Sequence, residues 1–285
     1  MTGPPPAILS IQSRVAYGHV GNGAAVLPLQ RLGFEVIALD TVELAHHPGY
    51  GSFTGRLADP ALLLRMLESL ERIGALDACV AVLSGYLGTA ETGLVVEAAI
   101  ERVRRRRPDA LYCCDPVIGD EHTGVFVQPG IAEVFRDRLV PAADLLTPNG
   151  FELGVLAARP VRGLEDALDA APLLQGRGAG IVVVTGLPVG TSELGVLAAL
   201  PDEAWLVRTP RRRAVLHGTG DAFSALLLGH LLAGRLLPDA LARAVSAMFV
   251  LVERTIAEGG RELALIAAQD AFARPGRRFE ARRLR

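Results

Sequence analysis

The sequence predicts an α/β protein with a central, mostly parallel β-sheet and helices on both faces. Short apolar runs ending in Gly, Asp, Asn or Pro alternate with amphipathic stretches of helical length, which is how successive βα units read. The 285 residues are 50% hydrophobic and 21% charged, enough for one sizeable core, so a single domain over residues 1–285 is expected.

Taken in order, the apolar runs place strands at 7–11, 35–40, 79–83, 111–114, 145–147 and 181–185. Helices fall between or after them, near 23–32, 60–73, 91–105, 131–139, 151–158 and 164–175. Beyond residue 190 the pattern changes. Residues 194–200 and 203–208 flank the turn Pro201-Asp202, which predicts an antiparallel hairpin at the sheet edge. Two long apolar-periodic helices follow at 219–233 and 238–257, then a third near 262–273 and a basic tail.

Composition removes several function classes. The net charge of -2 offers no general attraction to nucleic acid or anionic membranes, and the Arg runs lack interleaved aromatics. All 29 Lys and Arg positions are Arg. Without Lys, neither the phosphate-binding loop G-x-x-x-x-G-K-[ST] nor a Schiff-base lysine is available. Cys79, Cys113 and Cys114 lie in apolar stretches without metal-ligand or disulfide-framework spacing, as expected for reduced core residues of a cytoplasmic protein. No segment reaches about 18 uninterrupted apolar residues, and the N-terminus lacks a signal-peptide pattern, so neither a membrane span nor export is expected.

The sharpest local motif is His217-Gly218-Thr219-Gly220-Asp221, which opens a long helix. The glycines free the backbone to turn its N–H groups inward, and the helix start adds partial positive charge, so the segment can form an anion hole. Asp221 at its mouth could accept the proton of an attacking hydroxyl while phosphate charge builds on the amides. The plainer reading is a tight turn with an ordinary acidic first-turn residue.

Tyr112-Cys-Cys-Asp115-Pro-Val-Ile-Gly119-Asp120 puts two acids just past a strand, on the carboxyl edge where open α/β sheets bind ligands. There they could hold Mg²⁺ directly or through water; the plainer reading is that Asp115 precedes Pro in a turn and Asp120 is solvated. Thr147-Pro-Asn149-Gly-Phe-Glu152 adds a hydroxyl and a further acid after the next strand. At the N-terminus, Ser13 closes the first strand and Gly18-His-Val-Gly-Asn22-Gly23 forms a Gly-rich loop that lacks the dinucleotide fingerprint. His46 and His47 precede a flexible turn and read more readily as polar loop residues than as metal ligands.

Together, IQS at 11–13, Gly18 to Asn22, the His47 to Tyr50 region, LSGYLG at 83–88, CDPVIGD at 114–120, TPNGFE at 147–152 and GTGD at 218–221 resemble the pyridoxal kinases of the ribokinase superfamily. The resemblance implies a ribokinase-like fold, ATP as co-substrate, Mg²⁺, a monovalent cation and a homodimer. It implies that Ser13 hydrogen-bonds the pyridine ring, that Val20, Val42, Leu44, His47 and Tyr86 enclose it, and that Asp221 is the base. Gly218, Thr219 and Gly220 would steady the transferred phosphate. Asp115, Asp120, Thr147, Asn149 and Glu152 would organise metal and nucleotide, with Asp115, Asp120 and Glu152 as the metal set. Thr185 and Gly186 would border the nucleotide, and the segment from Thr209 to Leu216, including Arg211, would cover it.

Pro48 stands where relatives usually carry Thr, which removes one polar contact to substrate. The covering segment before GTGD is also short. Arg211, Arg212 and Arg213 fit either phosphate donors or a solvated loop. Arg104 to Arg107 suit a helix C-terminus. Two rival readings stand beside the first: a hydroxymethylpyrimidine-type vitamin kinase with the same Asp221, and a non-catalytic pyridoxal carrier.

Overall fold

The computed structural model describes residues 5–276 and 278–284. The chain opens with β1 (Ala7–Tyr17), α1 (Asn22–Arg31), β2 (Glu35–His46) and the short β3 (Gly55–Leu57). Next come α2 (Pro60–Arg72), β4 (Cys79–Ser84), α3 (Glu91–Arg106) and β5 (Leu111–Cys114). A two-stranded hairpin, β6 (Gly119–Asp120) and β7 (Gly124–Val125), stands apart from the main sheet. Then follow α4 (Ile131–Val134), α5 (Val140–Ala142), β8 (Leu145–Leu146), α6 (Gly150–Ala157) and α7 (Leu164–Gln175). The last third holds β9 (Ile181–Val189), β10 (Glu193–Ala199), β11 (Ala204–Pro210), α8 (Thr219–Leu232), α9 (Leu237–Ala257), α10 (Leu265–Ala268), α11 (Asp270–Ala273) and β12 (Arg282–Arg283).

Ten strands form one sheet in the order β12-β11-β10-β9-β8-β5-β4-β1-β2-β3. The six from β9 to β2 pair in parallel, while β3 at one edge and β10, β11 and β12 at the other are antiparallel. The chain runs from β1 to β2 on one side and returns to β4 on the other, so a topological switch lies at the carboxyl ends of β1 and β4. Such a switch opens a crevice beyond the strand ends.

Each central strand is apolar on both faces because side chains alternate with period two. Ala7, Leu9 and Ile11 of β1, Tyr112 and Cys114 of β5, and Val182 and Val184 of β9 enter one core with α2, α3, α6 and α7. The intervening Ile8, Cys113 and Val183 enter the opposite core with α1, α8 and α9. The three cysteines are buried and free. Among the described residues no helix is long and apolar enough to cross a membrane.

Three departures from the sequence expectation have local causes. β1 and β2 continue well past the expected residues 11 and 40, because their polar halves pair with each other, from Arg14↔Glu43 to Tyr17↔His46, in an arm with little apolar signal. The expected helix over 131–139 is instead α4, a π-helical stretch over Phe135–Leu139 and α5. The expected helix over 262–273 is two single turns, and residues 258–264 form a loop.

The Arg run ending α3 is more than a dipole complement. Arg104 Nη2 donates to Asp144 Oδ2 at 2.6 Å, and the same oxygen accepts from the Tyr112 N–H at 2.6 Å, tying helix to sheet. Phe135 is fully buried in the core under this face. Phe135→Ala is expected to cost about 3–5 kcal/mol of unfolding free energy, read from urea denaturation.

Candidate active site

The start of α8 anchors the site. Gly218 caps it with φ +80°, and a Cβ there would lie 1.9 Å from the His19 carbonyl oxygen, so only glycine fits between loop and helix. A Cβ on Gly220 would meet Asp115 Oδ2 at 3.6 Å, which puts the expected amide turn against the β5 acid. Asp221 lies in the first turn, where the N–H groups of Gly21 and of Asp221 itself reach its carboxylate. Burial still outweighs them and raises its proton affinity.

Asp115 is buried at the end of β5, and burial followed by the charges of Glu152 and Asp221 holds its carboxyl well above the ordinary range. Glu152 is buried too. Its Oε1 accepts from the Ile118 N–H at 3.0 Å and its Oε2 from the Asn149 N–H at 2.9 Å, closing a capping box on α6. Burial pushes Glu152 up to about 7 against those donors. Three acids from three elements therefore share one desolvated space.

Asp120 does not join them. Its Oδ1 accepts from the N–H groups of His122 and Thr123, both at 2.8 Å, inside its own hairpin turn, which lowers its pKa. Of the expected metal set, Asp115 and Glu152 lie in the acid cluster, while Asp120 stands in its own hairpin turn; among the described residues no group of three or more His, Cys, Asp or Glu is arranged as a complete metal cage. Asn149 is likewise engaged internally. Its Oδ1 accepts from the Glu152 N–H and its Nδ2 donates to the Gly119 carbonyl, both at 2.9 Å.

Ser224, absent from the sequence expectation, joins these parts. Its Oγ lies 3.1 Å from Asp115 Oδ2, 2.8 Å from Thr147 Oγ1 and 3.0 Å from the Gly220 carbonyl oxygen. The available signal was its position one helical turn after Gly220.

On the other side, Ser13 does not close β1 but falls inside it, where the pairing with β2 shifts register between Gln12 and Arg14. Such a bulge re-aims a side chain. Gly21, at φ +53°, passes so close that a Cβ would lie 2.0 Å from the Ser13 carbonyl oxygen. Below them Ser10, Gln12, Asn22 and Asp40 form a hydrogen-bonded polar floor. Val42 is buried, Val20, Leu44 and Tyr86 are half-buried, and Pro48 is exposed at the head of a short turn.

His47 is buried at the start of the turn. Nδ1 accepts from the Gly49 N–H at 3.1 Å, so Nε2 carries the proton and donates to Glu262 Oε1 at 2.8 Å. Both ring nitrogens are thus occupied by the protein, and the buried ring lies tilted against that of His217 with centroids 4.2 Å apart.

Toward β9, Asn149 and Thr185 form a parallel bridge, and Gly186 follows, exposed, at φ +69°. Thr209 is the penultimate residue of the hairpin strand β11, the Arg211 N–H donates to the Ser192 carbonyl at 2.8 Å, and Leu216 packs toward the α8 core. Arg212 pairs with Glu253 on α9 at 2.5 Å and lies over the Phe249 ring, so it is bound to that helix.

Comparison with known proteins finds this chain similar to small-molecule kinases. A family model for phosphomethylpyrimidine kinase matches residues 72–261. The "Pyridoxal kinase PdxY" of Rubrobacter xylanophilus is 49% identical over 97% of this chain and 97% of its own length. That of Deinococcus radiodurans is 44% identical over 98% and 97%. Among solved structures, pyridoxal kinase from Leishmania donovani in complex with ADP and pyridoxamine superposes with a TM-score of 0.93 at 30% identity, over 98% of this chain and 99% of that one.

The acid cluster makes stability depend on pH. A carboxyl whose folded pKa exceeds its unfolded value favours the fold below the unfolded value and loses that contribution as pH rises through the folded one. Unfolding free energy of the ligand-free protein is therefore expected to fall as pH rises from about 4.5 to about 7, the interval that Glu152 sets. Asp115→Asn, which removes a second carboxyl whose proton affinity is raised in the fold, is expected to flatten that fall in urea titrations across the range.

Proposed function

The chain belongs to the pyridoxal kinase family, and from that premise we propose that it transfers a phosphoryl group from ATP to the 5'-hydroxymethyl group of pyridoxal, with Asp221 as general base. The observation that carries this reading is the meeting of Asp221, Asp115 and the Gly218 to Gly220 turn at the start of α8. A half-buried carboxylate with raised proton affinity takes a hydroxyl proton more readily than a solvated one.

In the proposed step the substrate oxygen forms a bond to the γ-phosphorus while the bond from that phosphorus to the bridging oxygen of ADP breaks. The hydroxyl proton passes to Asp221, and charge developing on the phosphoryl oxygens meets the N–H groups of the glycine turn. Ser13 and the walls from Val20, Val42, Leu44 and Tyr86 would hold the pyridine ring. Thr147, Thr185, Gly186, Thr209, Arg211 and Leu216 would border the nucleotide.

The acid cluster fits Mg²⁺, because a buried group of like charges is relieved by a cation and Mg²⁺ needs only one or two carboxylates besides water and phosphate. Asp115 would hold it, and Glu152, whose oxygens already accept backbone N–H groups, would act through water. When bound, the ion supplies neutralising charge to the phosphates. Pyridoxine and pyridoxamine, a monovalent cation, a homodimer and a cytoplasmic location belong to the same proposal, the last supported by buried thiol cysteines.

The match to the phosphomethylpyrimidine kinase model favours a second reading, in which the same base serves a hydroxymethylpyrimidine. Turnover with Mg-ATP distinguishes the two: pyridoxal is expected to exceed the pyrimidine by at least about tenfold in kcat/KM, and the reverse order would move the assignment. Asp221→Asn is expected to lower kcat about 10²–10⁴-fold with little change in KM for ATP, measured as product formation by chromatography. Near-parental turnover in that variant would remove Asp221 as the base, and ligand binding without turnover in the parent protein would favour a carrier.

A further inference from the structure

Glu262 belongs to none of the motifs above, yet its carboxylate is one of the most heavily used in the molecule. It projects from the loop between α9 and α10. Oε1 accepts from His47 Nε2–H and from the Tyr50 hydroxyl, each at 2.8 Å, and Oε2 accepts from the His19 N–H at 2.9 Å. These donors hold Glu262 ionised, with its pKa lowered despite partial burial. Gly18 makes room for it, since a Cβ there would lie 2.3 Å from Oε2.

The flanking residues extend the contact. Arg261 covers the Tyr50 ring at 4.3 Å and donates to the Gly49 carbonyl at 3.2 Å, while Leu263 lies against Gly218. One short loop thereby clamps the 18–21 loop, the 47–50 turn and the glycine turn that caps α8. The first two follow β1 and β2, which the sheet order separates from β8 and β9, the strands beside Asn149 and Thr185, and Gly21 of the first reaches both Ser13 and Asp221.

We propose that Glu262 is a positioning residue for the alcohol substrate: through His47, Tyr50 and the His19 amide it fixes the wall of the vitamin pocket relative to Asp221. This deepens the kinase reading and rests on it. Glu262 touches no reacting atom. Its effect is to keep His47 in one tautomer and the Gly18 to Gly21 backbone in the place where Gly21 N–H meets Asp221.

The test is Glu262→Gln, which keeps size but sets an amide NH₂ against a donor now held by a carboxylate oxygen. The expected result is a rise of about tenfold in KM for pyridoxal, the factor one charge-assisted hydrogen bond carries, with KM for ATP and the urea midpoint nearly unchanged. Tyr50→Phe, which removes a single donor, is expected to shift KM for pyridoxal in the same direction by less. The double variant Glu262→Gln with Tyr50→Phe is expected to be no worse than Glu262→Gln alone, because both act through one bond. Equal loss on both substrates, or no loss in either single variant, would overturn the positioning role. Absence of pyridoxal phosphorylation in the parent protein would instead sink the kinase assignment on which it stands.

Discussion

Keeping several negative charges together out of water is the constraint on which this structure turns. Asp115, Glu152 and Asp221 come from the end of β5, the start of α6 and the start of α8; the charges of Glu152 and Asp221 raise the cost of ionising Asp115, and that of Asp221 the cost of ionising Glu152. Such a cluster persists because its surroundings supply donors: backbone N–H groups to Glu152 and Asp221, and the Ser224 hydroxyl to Asp115. In the proposed reaction a cation and a polyphosphate entering this space would relieve that cost.

Glycine at two close approaches makes the geometry possible. The 18–21 loop touches Ser13 through Gly21, and its His19 carbonyl touches α8 at Gly218, in each case where a Cβ would lie within about 2 Å of a carbonyl oxygen. Backbone thus packs on backbone around Asp221, which brings N–H groups, rather than flexible side chains, to the place where the proposed transfer would build charge. Preorganised donors of that kind do not have to reorient during reaction.

Much of the fold was legible because its signals are local. Alternation between two cores leaves most residues of a central strand apolar, and the turns between units carry Gly, Asp, Asn or Pro. The polar arm of β1 and β2 was not legible, since paired residues such as Arg14 and Glu43 carry no run of hydrophobicity. Within the site, the GTGD turn and the acids after β5 and β8 stood out by residue type and position. Ser224 and Glu262 did not: one is a small residue inside an apolar helix, the other a single acid in a loop, and their partners lie 109 and 215 residues away in the chain.

By itself, then, the order of residues determined the layered α/β architecture, the glycine turn at 218–220 and the supply of acids along one sheet edge, because periodicity and backbone freedom are properties of neighbouring residues. Tertiary structure alone decided which acids meet, turning Asp120 into its own hairpin while gathering Asp115, Glu152 and Asp221. It also decided that His47 spends both nitrogens on the protein. Proton affinity, tautomer and hydrogen-bond partnership depend on what lies within a few ångströms in space, and only the folded chain brings those groups that close.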